Sequence, residues 1–300
     1  MSRISELKHI LLGALAGAFI SWVGIPCFNK LMSKENTSED ISKKYILVLD
    51  DFDEKDLHIN DDDTCDITHG ELVSKIIESE LPEYDVDKID AHVHCTSDSF
   101  FKHRLFDRIL HGGKKYDAAN VSVGAHISFN ELSERTGIDV TRENVAEKAK
   151  EIKAYLKKHP KDYLMKGNIF LDAEMGGIAD FLDGLDSLSA KGTKIYVSTC
   201  NEGPRYLNLV SLADGAIVVG AADSLDTKYY SSENSLVRRH FNDTVKITKT
   251  QNGYSIDGGK TTAFKNTEVS KGSNKPYPRT YEGASFATPR VLVSDLKLYK

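Results

Sequence analysis

A run of five apolar residues at positions 45–49 most constrains what this chain can fold into. Short runs without polar residues are typical of strands that are buried on both faces of a parallel sheet. Further patterns predict strands at residues 88–95, 117–124 and 194–198, and helices at residues 98–111, 141–158 and 174–191. The turn signal at 252–253 predicts a hairpin that joins residues 244–248 to residues 254–256. Strands that alternate with helices predict an α/β domain built on a parallel sheet.

Polar residues follow the predicted strands. Asp50 and Asp51 come directly after the first apolar run, and Asn201 comes shortly after a later strand. Because sites in open α/β sheets form at the carboxyl ends of strands, these side chains are candidates for one site. His69 opens a predicted helix whose apolar residues share one face, at positions 72, 73, 76 and 77.

Residues 283–289 read Gly-Ala-Ser-Phe-Ala-Thr-Pro, which places Ser285 between small residues at the start of an apolar helical pattern. A nucleophilic serine needs that setting, because small neighbours let a carbonyl approach and the first N–H groups of a helix stabilise an oxyanion. His69 as a base, Asp50 as an orienting acid and Asn201 as an oxyanion donor complete the set that this chemistry needs.

In this order of acid, histidine, asparagine and serine, the chain resembles the subtilisin family of serine proteases, the subtilases. The resemblance spans roughly residues 44–298 and rests on four motifs, at residues 50–52, 69–73, 200–203 and 283–289. It implies a subtilisin-like three-layer α/β fold, in which a mostly parallel central sheet is covered by helices on both faces.

The resemblance implies the acyl-transfer chemistry of a serine endopeptidase. Ser285 attacks a peptide carbonyl, His69 takes and returns the proton, and Asp50 holds the imidazole. Asn201 and the backbone N–H of Ser285 stabilise the oxyanion. The segment that resembles the family's substrate-pairing edge strand consists of Ser122, Val123 and Gly124.

The same resemblance indicates the partners and cofactors. The substrate is a polypeptide, and the chemistry requires no cofactor and no metal ion. Many subtilases bind structural calcium, but the ligands of those sites have no identifiable counterpart in this sequence.

Several residues depart from the family pattern. Phe52 stands where a small residue is usual, and Ala284 and Phe286 replace the threonine and methionine beside the serine. Asp51 competes with Asp50 as the acid, although the apolar strand favours Asp50. A catalytically inactive, peptide-binding protein with the same fold is the main alternative. A serine hydrolase on another α/β fold is disfavoured, because the chain lacks its Gly-x-Ser-x-Gly motif.

Charge and metal-ligand patterns bear on nucleic-acid binding and on metal binding. The net charge is −6, which gives no basic footprint for nucleic acid. Acidic residues cluster at 50–54 and 61–63, a pattern of solvated loops and also of cation sites. His92 and His94 share one face of a predicted strand, but no third ligand stands at a recognisable spacing.

Residues 10–28 contain no charge, and a helix of this length spans a bilayer. We therefore expect a tail at residues 1–9, a transmembrane anchor or signal segment at 10–28, a linker at 29–43 and the peptidase domain at 44–300. The expected location is a membrane, through a single-pass N-terminal anchor, and the alternative is secretion after signal cleavage. The short linker leaves no room for a folded pro-domain, so a separate inhibitor or chaperone is an expected partner of a tethered processing protease.

Overall fold

The computed structural model describes residues 43–52, 68–91, 99–162, 175–222, 233–250, 253–257 and 279–298, which all belong to one compact unit. The strands are β1 (Lys44–Asp50), β2 (Tyr84–Asp90), β3 (Tyr116–Val121), β4 (His126–Ser128), β5 (Lys194–Ser198), β6 (Tyr206–Asn208), β7 (Ile217–Ala222), β8 (Val237–Asn242), β9 (Val245–Thr250), β10 (Gly253–Ile256) and β11 (Arg279–Tyr281). The helices are α1 (His69–Glu80), α2 (Ser99–His111), α3 (Phe129–Thr136), α4 (Val145–Lys158), α5 (Met175–Ala190) and α6 (Ala284–Leu298).

Six parallel strands form the central sheet, in the order β2-β1-β3-β5-β7-β8. The chain passes from β1 to β2 on one side and then returns to β3 on the other side of β1, so the strand order reverses at β1. Ligands of such sheets bind outside the carboxyl ends of the strands at the point of reversal. This edge is formed by Asp50 at the end of β1 and Val121 at the end of β3.

Alternate residues of β1 face two separate apolar layers. Leu47 and Leu49 pack in a layer with residues of α2, α4 and α5, whereas Ile46 and Val48 pack in a second layer with residues of α1 and α6. Because helices cover both faces of the strand, both of its faces need apolar side chains, which explains the continuous run. The predicted α/β class, a mostly parallel sheet with helices on both faces, is confirmed.

Most predicted elements are present with shifted ends. α4 begins at Val145 rather than at residue 141, because the side chain of Asn144 accepts the N–H of Thr141 at 2.8 Å and forms a turn. β2 begins at Tyr84, before the predicted start at residue 88, since an edge strand tolerates its alternating charged residues. The predicted hairpin is formed by β9 and β10, which pair antiparallel.

The predicted N-terminal segments fall on residues that the structure does not describe. The proposed anchor at 10–28 lies outside the described residues, as do the acidic residues at 61–63 and the histidines at 92 and 94. No helix within the described ranges has the length and apolarity that crossing a membrane requires.

A glycine on α5 lets this helix approach α2 closely. A methyl group at Gly184 would overlap the ring of Phe106, which packs edge-on against Phe181 with ring centroids 5.2 Å apart. The close spacing of α2 and α5 therefore depends on the absence of a side chain at Gly184.

We expect Gly184→Ala to lower the free energy of unfolding by about 1–2 kcal/mol, because the added methyl overpacks the layer although alanine is the better helix former. Ser187→Ala, at an exposed position of the same helix, is the matched control and should change it by less than about 0.5 kcal/mol. Denaturant titration followed by circular dichroism measures both. Equal, small effects would mean that Phe106 moves aside without cost.

Candidate active site

The carboxylate at the end of β1 is buried and aimed at an imidazole. The Oδ1 of Asp50 accepts the N–H of Asp51 at 2.7 Å and lies 2.6 Å from Nδ1 of His69. Its Oδ2 is buried and has no hydrogen-bond partner among the described residues. Of the two acids that the sequence left open, Asp50 is the one whose side chain contacts His69.

The start of α1 places the imidazole. Thr68 caps the helix, because its Oγ1 accepts a backbone N–H of the first turn at 3.2 Å. The next residues are tied to β1, since the N–H of Gly70 donates to the carbonyl of Asp51 at 2.8 Å. A Cβ at Gly70 would lie only 2.7 Å from that carbonyl oxygen, so glycine permits the close approach that brings His69 to Asp50.

The nucleophile candidate comes from the first turn of α6. The Oγ of Ser285 lies 2.8 Å from Nε2 of His69. Because the carboxylate of Asp50 can only accept, Nδ1 carries a proton, and Nε2 of the neutral ring accepts the serine hydroxyl. The structure therefore joins Asp50, His69 and Ser285 in one hydrogen-bonded chain.

Opposing effects act on the pKa of His69. Burial favours the neutral ring and lowers the pKa, whereas the charge and hydrogen bond of Asp50 raise it, with a smaller rise from the charge of Asp51. The net result is a pKa above the ordinary value of 6.5. A ring that binds a proton more tightly than an ordinary histidine is suited to take one from a hydroxyl.

A proline one turn after the serine frees the serine's backbone carbonyl. Pro289 has no N–H, so it cannot form the helical hydrogen bond to the carbonyl of Ser285. The hydroxyl of Ser122 donates to that carbonyl instead, at 3.2 Å, and Nδ2 of buried Asn120 donates to the Ser122 hydroxyl at 2.9 Å. Asn120 and Pro289 were not among the predicted site residues. The signals that could have indicated them are a polar residue inside an apolar strand and a proline four residues after the serine.

Asn201 follows β5 and contacts the same turn. Its Oδ1 accepts the N–H of Ala284 at 3.0 Å, which leaves Nδ2 as the donor of the amide. Between them lies Gly283, where a Cβ would be 3.0 Å from Nδ2 of Asn201 and 3.4 Å from Oγ of Ser285. Its φ of 154° also favours glycine. The side-chain amide and the serine hydroxyl thus face one small space that the glycine keeps open.

The predicted strand at 117–124 is wrong in its last residues. β3 ends at Val121, because its pairing with β1 ends there, and it is an interior strand rather than an edge strand. The imidazole of His126 occupies the space beside Gly124. Three residues of the prediction therefore lie beyond the strand, at the carboxyl edge of the sheet: Ser122, Val123 and Gly124.

Metal-binding side chains do not gather in the part of the chain that the structure describes: no group of three or more His, Cys, Asp or Glu side chains there could hold an ion.

Comparisons with known proteins give similarity in overall structure only. No protein-family model and no curated protein matches the chain. Among solved structures, it is similar to the prenylagaramide maturation protease PagA, at 14% identity and a TM-score of 0.44, over 86% of this chain and 78% of that one. It is similar to the nisin leader peptidase NisP from Lactococcus lactis, at 14% identity and a TM-score of 0.44, over 84% and 76% of the two chains. It is also similar to the epidermin leader peptide processing protease EpiP from Staphylococcus aureus, at 11% identity and a TM-score of 0.43, over 84% and 63%.

The raised pKa of His69 can be tested in a Ser285→Ala background, where no reaction interferes. We expect the ring of His69 to titrate above pH 6.5. In Asp50→Asn the pKa should fall below that of an ordinary histidine, because burial then acts with little opposition. Asp51→Asn is the matched control and should lower it less.

NMR of ¹⁵N-histidine-labelled protein measures each pKa, with His69→Gln to assign the signal. Equal shifts in the two asparagine variants would contradict the assignment of Asp50 as the principal partner.

Proposed function

We propose that this protein is a serine endopeptidase that hydrolyses peptide bonds through an acyl-enzyme intermediate. The observation that carries the proposal is the hydrogen-bonded chain from Asp50 through His69 to Ser285, with the amide of Asn201 facing the same space as the serine hydroxyl. A base bonded to the nucleophile, and an acid bonded to the base, is the arrangement that activates a serine.

In the proposed reaction, Oγ of Ser285 attacks the peptide carbonyl while Nε2 of His69 takes the hydroxyl proton. Asp50 stabilises the imidazolium and keeps Nδ1 protonated. Nε2 then returns the proton to the leaving amine, and a water molecule attacks the acyl-enzyme by the same route. The mechanism uses neither a metal ion nor an organic cofactor.

The oxyanion would be stabilised by two donors. Nδ2 of Asn201 is one, because Oδ1 is already bound to the N–H of Ala284. The backbone N–H of Ser285 is the other, since the first N–H groups of a helix have no helical partner. An acyl carbonyl at Ser285 would point its oxygen into the space that Gly283 leaves open.

A peptide-binding protein and a peptidase would use the serine hydroxyl and the imidazole differently. A module that only binds peptides has no use for a serine hydroxyl 2.8 Å from a half-buried histidine that is itself bonded to a carboxylate. The proposal also keeps the membrane tether at residues 10–28, and a separate inhibitor or chaperone as partner, for a processing protease.

Labelling of the nucleophile tests the activity. The full-length chain, treated with a fluorophosphonate probe, should gain one covalent adduct that intact mass detects, and Ser285→Ala should gain none. Ser187→Ala, at an exposed position of α5, is the control and should be labelled like the parent. A folded parent chain that remains unlabelled would favour the peptide-binding alternative.

Removal of the oxyanion donor tests the mechanism. We expect Asn201→Ala to lower kcat by about 10²–10³ with little change in KM, because the amide acts on charge that develops only in the transition state. Steady-state cleavage of a quenched peptide substrate measures both constants. A loss confined to KM would contradict an oxyanion role and assign Asn201 to substrate binding.

A further inference from the structure

Two chain segments run side by side from the candidate site to a surface cavity. Residues 122–128 begin at the nucleophile and end in β4, and residues 201–206 begin at the oxyanion donor and end in β6, which pairs antiparallel with β4. Midway, Nδ1 of His126 lies 2.6 Å from Oε1 of Glu202 and joins the two segments. These two segments therefore connect the cavity with the site.

The cavity has a volume of about 450 Å³ and lies between the first turn of α3, residues 140–142 and residues 204–206. No carboxylate of the described residues lines it, although the whole chain carries a net charge of −6. Its lining combines apolar and cationic side chains, which include Phe129, Val140, Pro204, Arg142, Arg205 and Tyr206.

The two guanidinium groups differ in their partners. Arg142 is exposed and forms an ion pair with its neighbour Glu143. Arg205 is exposed and contacts no carboxylate in the ranges that the structure describes. Its backbone carbonyl accepts the N–H of Phe129 at 3.0 Å, which fixes it at the start of α3. The positive end of this helix dipole adds to the potential in the cavity.

Glu202 is close to Arg205 in sequence, but its carboxylate is bound to His126. Burial raises the pKa of Glu202, but its hydrogen bond with His126 and the charge of that ring lower it overall. The carboxylate thus stays ionised and held by the imidazole, which leaves Arg205 for another anion.

We propose that the cavity is a specificity subsite for an acidic side chain of the peptide substrate, on the acyl side of the scissile bond; this inference rests on the proposed peptidase function. An arginine binds a carboxylate through two parallel N–H donors. The apolar wall of Phe129, Val140 and Pro204 packs against the methylene groups of an aspartate or glutamate.

The position of the acidic residue follows from the reach of the chain. His69 protonates the leaving amine, so the acyl half of the substrate lies on the side of Asn201 and residues 122–128. The six residue-to-residue steps from Ser122 to Ser128 span at most about 20 Å when the chain is fully extended. An extended substrate covers the same distance with about six residues, so the acidic residue lies within about six positions before the cleaved bond.

Cleavage-site profiling tests the subsite. The full-length parent, Arg205→Gln, Arg142→Gln and the control Arg108→Gln, at an exposed position of α2, each digest a proteome-derived peptide library, and mass spectrometry maps the cleaved bonds. The parent and the control should show enrichment of Asp or Glu at one position within six residues before the bond. Arg205→Gln should lose most of this enrichment, and Arg142→Gln part of it.

A synthetic peptide then measures the size of the effect. Replacement of the preferred Glu by Gln should lower kcat/KM roughly two- to fivefold in the parent, as for exposed charge-assisted pairs, and hardly at all in Arg205→Gln. Cleavage by the parent without upstream acidic enrichment, or enrichment unchanged in both cavity variants, overturns the subsite and leaves the peptidase function standing. Failure of the parent to cleave any peptide overturns the proposed function, and this inference falls with it.

Discussion

The burial of α6 is the constraint on which the rest of the structure depends. The helix packs in the apolar layer with α1, and Phe286 is 1% exposed, with its ring centroid 5.1 Å from that of His69. Because interiors are packed as densely as crystals, α6 cannot shift without opening this layer. The position of Ser285 is therefore set by neighbouring apolar residues that take no part in the chemistry. Phe286, a departure from the family motif, fits here as a side chain that covers the imidazole.

Elements that depend on residues close together in the sequence could be predicted from it. The apolar run before Asp50 needs cover on both faces, which only a central strand between helices provides. The apolar positions after His69 predict a helix that opens at this residue, and the structure begins α1 at His69. That Asp50 and His69 act together was expected from the set of residues that a nucleophilic serine needs and from the resemblance to the subtilases.

Features that depend on pairs distant in sequence could not be predicted. The strand at 117–124 was extended too far, because its length is limited by where β1 ends, a fact that no property of β3 itself records. The hydrogen bond from Ser122 to the carbonyl of Ser285 depends on Pro289, which lies in α6, far from Ser122 in the sequence. Glu71 of α1 pairs with Lys88 of β2 at 3.0 Å, and neither residue alone indicates the other.

His69 and Ser285 are separated by 216 residues in the sequence, and this separation affects the order in which the site is assembled. Contacts of such large separation form late in folding, because the intervening chain must first be ordered. On the ribosome, the acid and the histidine emerge early, and the serine joins them only when α6 closes the apolar layer that α1 began. Under the proposed peptidase function, a half-made chain holds a base without a nucleophile. It would therefore gain the ability to cleave peptides only when it gains the fold that protects it from cleavage.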